Sequence, residues 1–380
     1  MKVLLMYEYP AAPAGLSTQG ELLYRGLCEL GVECCPVHLA AAKEKEWYYR
    51  WFKPDVAVGV GYWGYTPQLV LHPQSHGVLA VPWLVADGYI ANYREVLNDL
   101  PLILLTSTWV KEVYIRDGIR PELLEVLPVG CDTGSFIPRA LNDPKVTAVR
   151  ESLGIAPDDC MILTVGGDAA SKGSHEVMQA LATISSRAPA WRYVCKVWPQ
   201  ERTERQNLLD LQLAAHLGIE RNVVYYTNIV SRNYMPYLMA ACDIYAAPSR
   251  LEGFGMPQVE AGACAKPVVS IKAMGMLDTL VHGETAYLAG VAVENRIRET
   301  TLGAESGFEN GHRVVFDVPR IADYRADVHD VARYLLELMQ DPGLRQKMGQ
   351  AGRERVVRQF DYRVVARRLV QILSDRLGVA

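Results

Sequence analysis

Short β-branched runs alternate with longer amphipathic stretches along most of this chain, and the alternation restarts once after a single break. That pattern predicts βαβ units and parallel sheets, because a strand covered on both faces reads as a brief apolar run. The first series places strands at 2–7, 32–38, 55–60, 78–84, 102–106 and 124–127. The second places them at 161–165, 193–197, 223–226, 244–247 and 267–270. Between the two, the span 128–138 carries two prolines and two glycines and fits neither period. A boundary is therefore expected near residue 140, giving an α/β chain of two doubly wound, Rossmann-like domains, 1–140 and 141–360. Sheets of this kind bind ligands beyond the carboxyl ends of their strands, and two such edges facing one another would frame a cleft.

Residues 291–320 interrupt the pattern with two glycine-containing turns and a strand-like 313–318 segment. They read as an insertion in the second domain, with donor, acceptor and a neighbouring subunit all open as its contact. Helical periods resume near 326–340, 343–359 and 361–377, and the last, within 361–380, is expected to pack back on the first domain. Seven arginines fall between Arg353 and Arg376. The charged outer faces of packed helices explain them better than a membrane-surface helix does, so peripheral membrane contact is not favoured.

Composition excludes several classes. With 39 Lys and Arg against 43 Asp and Glu, no global positive field draws the chain to nucleic acid. No apolar run approaches the ~18 residues of a spanning helix, and the opening residues are too short for a secretory core, so a cytoplasmic protein is expected. The eight cysteines lack the C-x-x-C spacing of a zinc site and read as free thiols, with no metal implied.

The chemistry concentrates in two turns. In 247–261, a strand ends, Gly253 and Gly255 follow, and Pro257 opens a helix. Free N–H groups at such a helix start bind anions or hydroxyls. Glu252 and Glu260 flank those groups, and carboxylates suit vicinal hydroxyls better than phosphate, so a sugar or ribose beside a phosphate would account for both. The competing reading is that both glutamates merely favour the helix dipole. In 164–173, Gly166-Gly167-Asp168 leads to Lys172-Gly173, another strand, turn and helix start, now with a compact cation for phosphate.

These segments resemble the retaining GT-B glycosyltransferases of glycosyltransferase family 4. The resemblance rests on Pro248-Ser249, Glu252-Gly253-Phe254-Gly255 with Glu260 eight positions beyond Glu252, the 263–269 run, the Gly166–Gly173 turn, the 128–132 linker and the closing helices. It covers nearly all of the second domain and, more loosely, the first. It implies a GT-B architecture, a nucleoside-diphosphate sugar donor, a sugar or small-molecule acceptor, and retention of anomeric configuration without a metal or other cofactor. It also assigns roles. Glu260 would hold the ribose hydroxyls, Lys172 would neutralise the departing diphosphate, and Glu252 would hold sugar hydroxyls near the anomeric carbon. The N–H groups of Phe254, Gly255 and Met256 would meet sugar or phosphate, while Gly15 and Gly167 would seat the diphosphate and Asn228 and Ile229 would lie near the base.

Three departures stand out. An arginine usual in the first turn is replaced by Gly167 or Asp168, whose carboxylate would repel phosphate unless it turns away. A histidine expected after the fourth strand is absent, and Asp87 stands nearest its place as a sugar ligand or base. The glycine-rich loop after the first strand is reduced to Gly15 and Gly20. Acceptor recognition is expected from Tyr62, Trp63, Tyr65, Trp83, Tyr89 and Tyr93, with core packing the alternative for about half of them. Residues 1–140 hold 11 basic against 15 acidic residues, favouring a soluble acceptor over anionic lipid.

Three other readings remain open. A sugar-nucleotide epimerase or a sugar phosphorylase could use the same architecture, and a degenerate protein could bind the donor without transfer. Gly59-x-Gly61-x-x-Gly64, with Asp87 beyond it, spells a dinucleotide fingerprint and would suit a nicotinamide oxidoreductase. Against the last, bulky Tyr62-Trp63 fills the turn and the motif follows the third strand.

Overall fold

The computed structural model describes residues 1–85, 88–199 and 201–379. The chain divides into two compact units. The first comprises Met1–Gly130, Arg296–Ala322 and Gln359–Ala380, and the second Cys131–Asn295 and Asp323–Arg358.

The first unit is built on a six-stranded parallel sheet of β1 (Lys2–Tyr7), β2 (Glu33–His38), β3 (Val56–Tyr62), β4 (Ala80–Val85), β5 (Ile103–Leu105) and β6 (Leu124–Val126), in the order β2-β1-β3-β4-β5-β6. Its strands are short apolar runs because helices cover both faces; Val3 through Tyr7 are all fully buried. The closing helix Tyr362–Leu377 packs on the helix Gly15–Glu29, where Arg363 pairs with Glu29 at 2.6 Å.

The second unit repeats the plan with β7 (Cys160–Val165), β8 (Trp191–Lys196), β9 (Val223–Tyr226), β10 (Ile244–Ala246), β11 (Val268–Ile271) and β12 (Ala286–Ala289), all parallel, in the order β12-β11-β10-β7-β8-β9. β7 and β10 are neighbours although two strands separate them in sequence. The strand order reverses there, and the carboxyl ends of such a pair form the topological switch point at which doubly wound sheets take their ligands.

Two expectations about organisation change. The division falls at Gly130/Cys131 instead of near 140. The following turn is held in the second unit, where Arg353 donates to the carbonyls of Phe136 at 2.6 Å and Thr133 at 2.9 Å. The 291–320 excursion, with its strand-like 313–318 segment, is a two-stranded sheet of β13 (Val291–Leu302) and β14 (His312–Ala326). Its residues 296–322 group with the first unit, not with the second. The cause is a specific docking. Asp117, whose side chain is fully buried, pairs with Arg320 at 3.0 Å, and the Phe316 and Tyr89 rings lie 5.0 Å apart.

Candidate donor site

The site is assembled from the turns that follow β7 and β10. The first turn runs from Gly166 through a short 3-10 segment, Ala170–Lys172, to Gly173, which opens the helix Ser174–Ile184. Gly173 has φ +84°, and a Cβ there would lie 2.4 Å from the carbonyl oxygen of Pro248. A side chain is thus excluded by both torsion and space. The second turn reciprocates, since the Arg250 amide donates to the Ser171 carbonyl at 2.9 Å. These contacts bring Lys172 Nζ to 2.6 Å from Glu252 Oε2, both side chains being about one-fifth exposed.

Beyond Glu252, Gly255 (φ +89°) caps the helix Met256–Ala263, and the terminal methyl of Met276 leaves no room for a Cβ on it. Its N–H, expected to face ligand, donates instead to Glu252 Oε1 at 3.3 Å. Glu252 therefore bridges the cation and the helix start. Phe254 is buried and Met256 half-buried. Glu260 lies one turn into the helix. Burial pushes its carboxyl up to about 7, with Arg232 pulling the other way. Glu260 and Glu252 share a neighbour in Tyr245 of β10. Burial pushes that phenol well up, its hydrogen bond with Val165 opposes, and both glutamates add to the rise. One ring at the β7/β10 junction thus feels both carboxylates.

Asp168 caps its own turn. Its Oδ1 accepts from the Ser171 amide at 2.6 Å, so the carboxylate is spent on capping the segment that carries Lys172. Gly167 lies beside the loop after β8, its carbonyl accepting from the Trp198 amide at 3.1 Å. Asn228 and Ile229 are exposed in the loop after the edge strand β9, on the same side of β7 as β8. Gly15 begins a helix of the other unit. Asp87 lies outside the described residues.

Sequence reasoning missed Asp168 as a cap, Arg250 as the tie between the turns, and the buried supports beneath them. The Ala247 carbonyl accepts from Ser270 at 2.8 Å and from Gln258 at 3.3 Å, and Ser249 is fully buried. No spacing rule reveals such partners, because they meet only once β7, β10 and β11 are ordered side by side.

Other expectations are corrected. Gly59 and Gly61 lie inside β3, where Leu69 and Tyr65 press on them, so they form no dinucleotide turn. Trp63 and Trp83 belong to the core, the Trp83 indole donating to the Leu127 carbonyl at 2.9 Å. Tyr62 donates to the Glu305 carbonyl at 3.0 Å and Tyr89 leans on Phe316, so the β13–β14 hairpin occupies part of the aromatic surface first assigned to acceptor. Among the described residues no helix is long and apolar enough to cross a membrane, and no cluster of His, Cys, Asp and Glu could hold a metal ion.

Residues 145–299 match the model of the family described as glycosyl transferases group 1. That match covers under half of the chain and lies almost wholly in the second unit. Among curated proteins it is similar to the MMP alpha-(1->4)-mannosyltransferase of Mycolicibacterium hassiacum, 26% identical over 295 residues, covering 77% of this chain and 58% of that protein. It is also similar to the GDP-mannose-dependent alpha-(1-6)-phosphatidylinositol monomannoside mannosyltransferase of Mycolicibacterium smegmatis, 25% identical over 305 residues, covering 78% and 68%. The alignment thus spans under two thirds of the first relative's length. Among solved structures, HepE of Anabaena in complex with UDP and glucose aligns over 98% of this chain and 99% of its own, with a TM-score of 0.72 at 16% identity. Sucrose-phosphate synthase from Thermosynechococcus elongatus aligns over the whole of both chains, with a TM-score of 0.75 at 17% identity. The chain therefore has the GT-B fold, with a Rossmann-like sheet in each unit.

Proposed function

We propose that this protein is a glycosyltransferase of group 1 that moves a hexose from a nucleoside-diphosphate sugar to a sugar or small-molecule acceptor, with retention of anomeric configuration. The observation that carries the proposal is the Lys172–Glu252 pair at the β7/β10 switch point, with Glu260 one turn into the adjoining helix. In this reading Glu260 accepts the ribose hydroxyls, Lys172 meets the diphosphate, and Glu252 turns to the sugar. The bond from the anomeric carbon to the phosphate oxygen breaks, the acceptor oxygen bonds to that carbon, and the acceptor proton leaves with the phosphate or a base, a place kept for Asp87. Negative charge grows on the leaving diphosphate as the bond lengthens, so a fixed cation lowers the barrier. Lys172 and the amides at the two helix starts supply that positive charge, and the reaction is read as metal-independent. Gly15 and Gly167 remain the diphosphate seats of this reading, and Phe254, Gly255, Met256, Asn228 and Ile229 its other donor contacts.

The relatives named for GDP-mannose-dependent and mannosyl transfer, and the neighbour bound to UDP and glucose, support a nucleotide-linked hexose. A cytoplasmic site of action and a soluble acceptor belong to the same proposal. Incubation with UDP-glucose and GDP-mannose and a panel of sugars, read by proton NMR, tests it. An α-linked product from an α-linked donor is expected; an inverted product, or an epimerised or phosphorolysed sugar, would refute it.

A further inference from the structure

Behind the two turns lies a chain of polar side chains that the donor reading does not use. Asp210, fully buried on the helix Glu201–His216, accepts from three groups: His175 Nε2 at 2.5 Å, the Tyr225 hydroxyl at 2.6 Å and Gln206 Nε2 at 2.7 Å. Burial would push this carboxyl up, but the hydrogen bonds from His175, Tyr225 and Gln206 outweigh it and hold Asp210 below the usual range. It is therefore an anion that only accepts. Burial likewise pushes the Tyr225 phenol up, so that group stays a donor.

The other ring nitrogen of His175, Nδ1, lies 3.2 Å from Arg250 Nη2. A guanidinium only donates and an ionised carboxylate only accepts. The two partners suit a His175 ring that donates from Nε2 to Asp210 and accepts at Nδ1 from Arg250. The same Arg250 nitrogen lies 3.4 Å from both oxygens of Glu176, which Arg325 also approaches at 3.4 Å. Arg250 is the residue whose amide holds Ser171, the neighbour of Lys172. Tyr225 closes the other end, in β9, just before the loop that carries Asn228 and Ile229.

We infer that His175 and Asp210 are positioning residues: they form a relay that fixes Arg250, and through it the Lys172 and Glu252 turns, to the strand end beside the proposed base loop. The inference rests on the donor reading for its consequence in catalysis, but not for its structural content. The relay touches no reacting atom. Its loss lets the paired turns drift, and a displacement of that kind lowers turnover far more than it weakens ground-state binding.

The test compares wild type, His175→Ala, His175→Gln and Asp210→Asn. Glutamine keeps an N–H and an acceptor at nearly the spacing of the two ring nitrogens. Nucleotide release from UDP-glucose and from GDP-mannose is measured without acceptor, alongside amide hydrogen exchange of residues 247–255. The relay predicts that His175→Ala melts cooperatively, releases nucleotide about tenfold or more slowly with KM within threefold, and exchanges faster in 247–255. His175→Gln should recover to within threefold of wild type, and Asp210→Asn should behave like His175→Ala. Wild-type turnover in His175→Ala, or unchanged exchange in 247–255, overturns the inference. So does a glutamine variant as slow as the alanine one. If His175→Ala does not fold, the glutamine and asparagine variants decide by the same criteria. If wild type releases neither nucleotide without acceptor, exchange in 247–255 alone decides the relay, and the glycosyl-transfer reading is decided separately by the acceptor assay.

Discussion

Lys172 and Glu252 form a pair: the ammonium nitrogen stands 2.6 Å from the carboxylate, across 80 positions of sequence. A diphosphate entering this site must share the lysine with that carboxylate or displace it. In the proposed reaction Glu252 therefore acts in two opposed ways, holding Lys172 in place while competing with phosphate for it.

The first prediction follows from that competition. Glu252→Gln should tighten nucleoside-diphosphate binding about two- to fivefold, the scale of a partly exposed ion pair. The same variant should slow transfer by about 10²-fold, because the sugar loses its partner. Calorimetry with UDP and GDP and initial rates check the two halves separately.

Lys172→Ala should behave oppositely. Turnover should fall by about 10²–10³ as the leaving diphosphate loses its preorganised charge, with a smaller change in donor KM. A raised KM with unchanged turnover would mean that the lysine binds ground state and transition state alike.

The carboxyl of Glu260 titrates near 7 because burial disfavours its charged form. Since its folded value lies above the ordinary value of 4.5, the folded state holds the proton more tightly than the unfolded chain. Stability relative to Glu260→Gln is therefore full below about 4.5, is lost as pH rises toward 7, and stays low above it. Donor binding should run the other way, weakening as pH falls through 7 if the ionised carboxylate accepts both ribose hydroxyls. Denaturant unfolding and calorimetry from pH 5 to 8 check both slopes.

Two substitutions test how the turns are built. Gly173→Ala should destabilise by about 1–3 kcal/mol or more, since it forces a left-handed torsion and a clash with the Pro248 carbonyl. Asp168→Ala should cost about 1 kcal/mol through its lost cap, and Asp168→Asn, which keeps the acceptor oxygen, much less. Urea denaturation distinguishes them.

Both sheets and the two turns after β7 and β10 were legible because strand runs and glycines at helix starts are local patterns. What stayed hidden depends on packing. Among the contacts that hold 296–322 to the first unit, the buried Asp117 carboxylate pairs with Arg320 across about two hundred residues of chain, and no periodicity encodes such a meeting. Tyr62 and Tyr89 look equally suited to sugar or hairpin until Glu305 and Phe316 are placed against them. Asp168 read as a misplaced charge since its capping of Ser171 needs the turn's torsions, and β12 went unseen because Ala286–Ala289 is too short and plain a run to register.

The central claim is that the turns after β7 and β10 bind one activated-sugar nucleotide through Glu260. Thermal unfolding with UDP-glucose and GDP-mannose, in wild type and Glu260→Ala, tests it most directly. At 100 times its dissociation constant, one of them should stabilise wild type by about 2.7 kcal/mol and leave Glu260→Ala unmoved at the same concentration. Stabilisation by neither donor, or by the same amount in both proteins, would contradict it.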